Sequence, residues 1–140
     1  MYILRTDASF DSAHFLSGYE GKCSNIHGHR WTVEIEANGE ALENDGQNRG
    51  MIVDFSELKG ALTEIVEFYD HSLIIEKDSL KEKTLEALLE ENFRVIEVPF
   101  RPTAENFSKH FFEKMAEKGY RIAKTTVYET PKNCASYVES

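Results

Sequence analysis

The residues best equipped for chemistry lie close together near the N-terminus, in the run HFLSGYEGKCSNIHGH that spans positions 14–29. His27 and His29 flank Gly28 at the start of a segment that alternates as an extended strand. A period of two puts both imidazoles on one face of a sheet, where they can bind a single ion without distorting the backbone. His14 ends a preceding strand, and a hairpin-like connection of twelve residues brings it back beside them. Three neutral imidazoles suit zinc and leave a fourth position open, as catalytic sites do; structural zinc sites are usually closed by four ligands. Cys23 keeps a second arrangement in play, because as a fourth ligand it makes a closed Cys-His₃ site. The competing reading is bland: isolated histidines are more often packing or surface residues, and Cys23 is then a small buried thiol. Cys134 sits in a terminal strand with no partner motif.

The elements that must position these groups follow from periodicity. In residues 28–38, Trp31, Val33, Ile35 and Ala37 share one face, and Thr32, Glu34 and Glu36 the other, which is a half-buried strand. Tyr2, Leu4, Ala8 and Phe10 give residues 2–10 a similar alternation, and the turn-rich stretch 39–50 is a connection. Asp54 is a helix N-cap with Glu57 three residues on, and Phe55, Leu58, Leu62, Ile65, Val66 and Tyr69 mark one helical face. Residues 79–92 read as a short acidic helix, and 94–100 as a strand or extended link. Thr103 caps a third helix with Phe107, His110, Phe111 and Met115 on its apolar side, ended by Gly119. Strands at 122–129 and about 134–138 finish the chain. Paired strands separated by helices indicate a single α+β domain, residues 1–140, with an antiparallel sheet and edges suited to association.

Composition removes several classes of function. Sixteen Lys and Arg against twenty-five Asp and Glu give a net charge of −9, the wrong sign for a nucleic-acid surface. No apolar run approaches the roughly 20 residues of a membrane span. The opening MYILRTDASF lacks the pattern of a secretory signal, so a cytoplasmic location is expected. Two cysteines are poor grounds for a disulfide. No glycine-rich phosphate loop or dinucleotide fingerprint is present.

Taken in order, F-D-S-A-H (10–14), C-S-N-I-H-G-H (23–29), D-H (70–71), P-T-A-E-N (102–106) and V-Y-E-T (127–130) resemble the 6-pyruvoyltetrahydropterin synthase family over nearly the whole chain. A cysteine at 23, shortly before H-G-H, is similar to the 6-carboxytetrahydropterin synthase branch of queuosine biosynthesis. The resemblance implies a tunnelling fold, with a four-stranded antiparallel sheet and two main helices on one face. It also implies barrels of three subunits, trimers stacked into hexamers, and sites between subunits. It makes His14, His27 and His29 the ligands of one zinc ion per subunit, and Cys23 the general base. Asp70 and His71 become an acid–base pair, Glu129 the residue that holds the pterin's amide and amino edge, and Thr103 a pterin contact. Ala104 departs from a second threonine common in the family, and residues 76–99 are an insert expected to sit away from the metal.

The implied reaction converts 7,8-dihydroneopterin triphosphate to 6-carboxy-5,6,7,8-tetrahydropterin with release of acetaldehyde and triphosphate. The nearest alternative is triphosphate elimination alone, to 6-pyruvoyltetrahydropterin; a more distant one is a non-catalytic zinc-binding module. The assignments suit the chemistry: a thiol with an ordinary pKa of about 8.5 can be tuned toward neutrality by a nearby cation. A carboxylate accepting two parallel N–H donors reads a guanidine-like edge. Lys22, Arg101 and Lys132 lie beside motif residues and are candidate triphosphate contacts.

Overall fold

Alternating apolar residues in the first third of the chain build two long strands, β1 (Tyr2–His14) and β2 (His27–Gly39), in a computed structural model that describes residues 1–139. They pair antiparallel in unbroken register from Tyr2↔Gly39 to His14↔His27. The remaining elements are α1 (Phe55–Glu67), β3 (Ser72–Glu76), α2 (Glu82–Glu90), β4 (Val95–Val98), α3 (Ala104–Glu117), β5 (Ile122–Thr130) and β6 (Asn133–Tyr137). Spatial order in the sheet is β4-β3-β1-β2-β5-β6.

The expected four antiparallel strands are present as β1, β2, β5 and β6, but the sheet has six strands and is mixed. Of the additional two, β4 lies in the segment 76–99 expected to be an insert, and β3 leads into it. β3, α2 and β4 form a β-α-β unit whose strands run parallel to each other, and β3 joins β1 in parallel at Ser12↔Ser72 and Ala13↔Leu73. Leu73-Ile74-Ile75 is the apolar run that makes β3 a buried parallel strand, and Ile74 and Ile75 are buried. α2 contributes no buried residue and links β3 to the edge strand β4.

Helices α1 and α3 pack on the face that carries Phe10, Trp31, Val33 and Ile35. Their caps match the sequence: Asp54 accepts from the Ser56 amide at 2.7 Å, and Thr103 Oγ1 from the Asn106 amide at 3.2 Å. Gly119 ends α3 with φ +95°, a backbone state that costs glycine little. Leu58, Leu62, Phe107, Phe111 and Met115 are fully buried, and Phe10, Trp31 and Phe107 form an aromatic cluster with ring centroids 5.0–6.2 Å apart. Phe55, expected on the buried face, is instead 61% exposed in the first turn of α1.

These positions separate core from surface in a denaturant titration. Phe107→Ala should cost about 3–5 kcal/mol, the usual range for deleting a buried aromatic ring. Phe55→Ala should change stability by less than about 0.5 kcal/mol.

Candidate metal centre and proton-transfer groups

The β1–β2 register sets His14 directly opposite His27, and the pleat returns His29 to the same face two residues on. The Nε2 atoms of His14 and His27 are 3.1 Å apart, and the three rings have centroid separations of 4.6–5.1 Å. Nδ1–H of His14 donates to the Pro102 carbonyl at 2.7 Å, and Nδ1–H of His27 to the Asn25 carbonyl at 2.7 Å. A carbonyl can only accept, so both tautomers are fixed with the Nε2 lone pair turned inward. Burial, strengthened by the two neighbouring imidazoles and opposed by the Pro102 hydrogen bond, pushes His14 down to about 4. Burial also lowers His29, against the raising effect of Glu129. Two inward lone pairs at 3.1 Å with no proton between them repel unless a cation sits among them, and the donor set fits a borderline metal such as zinc.

Glu129, on β5, joins this group. Its Oε1 lies 3.0 Å from His29 Nε2, and one ligand atom from each of His14, His27, His29 and Glu129 falls within 4.8 Å of every other. Cys23 is not part of the group. It occupies a short 3₁₀ turn, Lys22–Ser24, whose loop is folded back by a hydrogen bond from the Leu16 amide to the Cys23 carbonyl at 2.9 Å. The thiol is half-buried and free.

A second cluster stands beside the first. His71 Nδ1–H donates to Asp70 Oδ2 at 2.9 Å, and Asp70 Oδ1 accepts the Asp11 amide at 2.8 Å. The Asp11 amide and then the His71 ring hold Asp70 below the usual carboxylate range. The Asp11 carbonyl accepts the His71 amide at 2.7 Å, and its carboxylate takes Arg30 Nε and Nη2 at 3.0 and 3.1 Å. Neither Asp11 nor Arg30 stands out in the sequence as a functional residue. Their signal is only adjacency, Asp11 inside F-D-S-A-H and Arg30 following His29. His71 has φ 55°, a left-handed conformation uncommon for a side chain of its size.

Two clefts share His29 and Arg30. One, of about 440 Å³, continues to Asp7, Tyr128, Glu129 and Thr130; the other, of about 560 Å³, to Asp11, Gly28 and His71. Arg30 is the only Lys or Arg among the described residues lining either. Of the candidate phosphate contacts, Arg101 donates to the Ser17 carbonyl at 2.9 Å and lies over the Tyr19 ring, and neither Lys22 nor Lys132 lines a cleft. Thr103 serves as the cap of α3, next to the Pro102 carbonyl that holds His14.

A family model described as 6-pyruvoyl tetrahydropterin synthase matches residues 3–140. The chain is 32% identical to a 6-carboxy-5,6,7,8-tetrahydropterin synthase of Haemophilus influenzae, covering 99% of this chain and all of that one. It is 37% identical to a putative 6-carboxy-5,6,7,8-tetrahydropterin synthase of Pyrococcus horikoshii, over 90% and 83% of the two chains. An uncharacterized protein from Wolinella succinogenes shares the fold with a TM-score of 0.79 at 18% identity, covering 99% and 98%. A 6-pyruvoyl tetrahydropterin synthase from Caenorhabditis elegans does so with a TM-score of 0.67 at 26% identity, covering 99% and 96%.

The buried imidazoles make metal-free stability depend on pH. With His14 at about 4 in the fold and about 6.5 when unfolded, the unfolded chain takes the proton first as pH falls. Its contribution is therefore complete above about pH 6.5 and is lost progressively down to about pH 4. Chelator-treated protein should lose on the order of 2–3 kcal/mol through His14 between pH 7.5 and 4.5. Denaturant titrations of His14→Gln should show most of that slope gone.

Proposed function

The chain belongs to the 6-pyruvoyl tetrahydropterin synthase family, and from that premise we propose that it is a zinc-dependent carbon–carbon lyase. It converts 7,8-dihydroneopterin triphosphate and one water to 6-carboxy-5,6,7,8-tetrahydropterin, acetaldehyde and triphosphate, on the route to queuosine. The observation that carries this reading is the set of inward-facing imidazole nitrogens, with tautomers locked from behind by two carbonyls. It opens onto two clefts, one of which also reaches His71, the partner of Asp70.

His14, His27 and His29 would hold the zinc, one ion per subunit. When bound, it supplies a Lewis acid for the hydroxyls of the substrate's side chain and eases proton loss from the adjacent carbons. Cys23 is the base that removes a proton from that side chain. His71 moves protons on the other side of the substrate, with its ring oriented by Asp70 through Nδ1–H, so that Nε2 is the exchanging atom. Glu129 accepts the amide and amino N–H groups of the pterin edge. The Thr103 hydroxyl, which already accepts the Asn106 amide, keeps its own hydrogen to donate to the ring.

Free sheet edges support assembly into a trimer or hexamer with sites between subunits. β1 pairs with β3 only at Ser12 and Ala13, so from Tyr2 to Phe10 that edge has no strand partner, and the outer edge of β6 has none either. Two free thiols suit the reducing cytoplasm, and no described helix is long and apolar enough to cross a membrane. Elimination of triphosphate alone, giving the pyruvoyl product, is the second reading, favoured by the likeness to the Caenorhabditis elegans protein. The position of Cys23 outside the ligand group speaks against a closed zinc module.

Incubation of the purified protein with 7,8-dihydroneopterin triphosphate, followed by mass analysis and carbonyl trapping, should yield the carboxy product and acetaldehyde. Triphosphate release without acetaldehyde would instead establish the pyruvoyl reaction. Cys23→Ala should retain zinc and lose activity by roughly 10²-fold or more, the scale of a lost acid–base group.

A further inference from the structure

The geometry points to His110 as a positioning residue for the Asp70–His71 pair: it ties down Tyr69 by a hydrogen bond across the core, and Tyr69 fixes the turn from which the pair projects. This role rests on the pterin-synthase reading and deepens it with a residue of α3 that lines neither cleft beside the imidazole group.

The turn has one buried anchor. α1 ends at Glu67 and β3 begins at Ser72, so residues 68–71 alone carry the chain between them. Tyr69 is 6% exposed, whereas Phe68 and His71 are exposed and Asp70 is half-buried. Backbone bonds inside the turn are local: the Tyr69 amide donates to the Val66 carbonyl at 3.0 Å, and the Asp70 amide to the Glu67 carbonyl at 3.2 Å. Such bonds shape the turn without fixing where it lies on the sheet. The Tyr69 ring does fix it, packing against Phe10 with centroids 6.0 Å apart. Phe10 precedes Asp11, whose amide and carbonyl take Asp70 and His71. Where the ring sits therefore decides which backbone groups the pair meets. On the exposed side, Arg94 holds the Phe68 carbonyl.

The tie to α3 is polar within an aromatic setting. Tyr69 Oη and His110 Nε2 are 2.6 Å apart, with the rings edge to face at 5.7 Å. Phe10, Phe107 and Phe111 surround Tyr69 at centroid separations of 5.6–6.4 Å. An imidazole on the apolar side of α3 costs desolvation that a hydrocarbon side chain would not, unless a hydrogen bond offsets it. Burial raises the Tyr69 phenol; burial also lowers His110, reinforced by Lys114 and opposed by Glu113 and Glu117. Both groups are thus neutral near pH 7, and the phenol donates its hydrogen to the Nε2 lone pair. Each supplies the other's partner, so turn and helix lock in one arrangement where aromatic packing alone admits several. A ring free to tilt would carry its own backbone with it, and Asp70 is the next residue.

A carboxyl-carbon NMR titration of Asp70 tests this independently of turnover. In the unaltered protein the Asp11 amide and then the His71 ring hold Asp70 below the usual carboxylate range. In His110→Leu and in Tyr69→Phe those bonds should loosen, and Asp70 should titrate closer to that range. His110→Gln, whose side-chain oxygen can accept the Tyr69 hydroxyl, should restore most of the unaltered behaviour. With dihydroneopterin triphosphate, kcat should fall roughly 10- to 100-fold in the first two proteins with KM little changed, and recover in His110→Gln. An Asp70 titration unaltered in both His110→Leu and Tyr69→Phe would overturn the proposal. So would a His110→Gln protein as impaired as His110→Leu, because the imidazole would then matter for its packing and not for its hydrogen bond. Should His110→Leu fold poorly, Tyr69→Phe keeps the ring and its aromatic neighbours and decides the matter. If the unaltered protein fails to turn over the triphosphate, the pterin-synthase reading falls, while the Asp70 titration still judges the anchoring.

Discussion

Antiparallel pairing of β1 with β2 is the constraint on which the core and the site both depend. Thirteen residues of each strand are matched without interruption, and on the helix-covered face the rows are Ala8 with Val33, Phe10 with Trp31, Ser12 with His29, and His14 with His27. A slip of one residue would carry His27 and His29 to the opposite face along with Trp31 and Val33. The register that buries the largest side chain in the protein is thus the one that gathers the imidazoles. Two side-chain contacts pin it, one on each face: the Phe10–Trp31 stack, with centroids 6.1 Å apart, and the two-bond Asp11–Arg30 pair.

The candidate metal site is completed from much farther along the chain. Pro102 supplies the carbonyl that orients His14, eighty-eight residues away, and Thr103 immediately begins α3. That helix lays Phe107 against both Phe10 and Trp31, so docking it onto the sheet and orienting His14 are one event. Glu129 arrives on β5, the other neighbour of β2. The imidazole group cannot exist before the sheet and α3 have assembled, so any metal it holds would be thermodynamically coupled to folding.

How much of this was legible in the sequence depended on whether the signal was local. Alternation around Trp31 gave β2 and the shared face of His27 and His29; side-chain capping chemistry gave the starts of α1 and α3 at Asp54 and Thr103. β3 was missed because Leu73-Ile74-Ile75 is a short apolar run without a period of its own, and its partners Val95–Val98 and Ser12–Ala13 are distant or parallel. Glu129 reads as an ordinary strand carboxylate, and nothing local shows that β5 places it beside His29. Arg30 and Asp11 look like surface charges until the register sets them opposite each other. Arg101 is basic and lies beside a motif, but its guanidinium is committed to the Ser17 carbonyl.

The two side-chain clusters are held apart by covalent geometry. Asp70 and His71 come from the turn after α1, yet both are fastened to the backbone of Asp11, one through its amide and the other through its carbonyl. The left-handed φ of His71 lets the chain make both contacts within two residues, a strained state tolerated where surrounding bonds over-determine it. His14 lies three residues farther along the same strand. At about 3.3 Å per residue, those three steps span about 10 Å. An extended strand paired on both sides at Ser12 and Ala13 has little freedom to stretch or bend. It therefore serves as a ruler between the imidazole group and the Asp70–His71 pair.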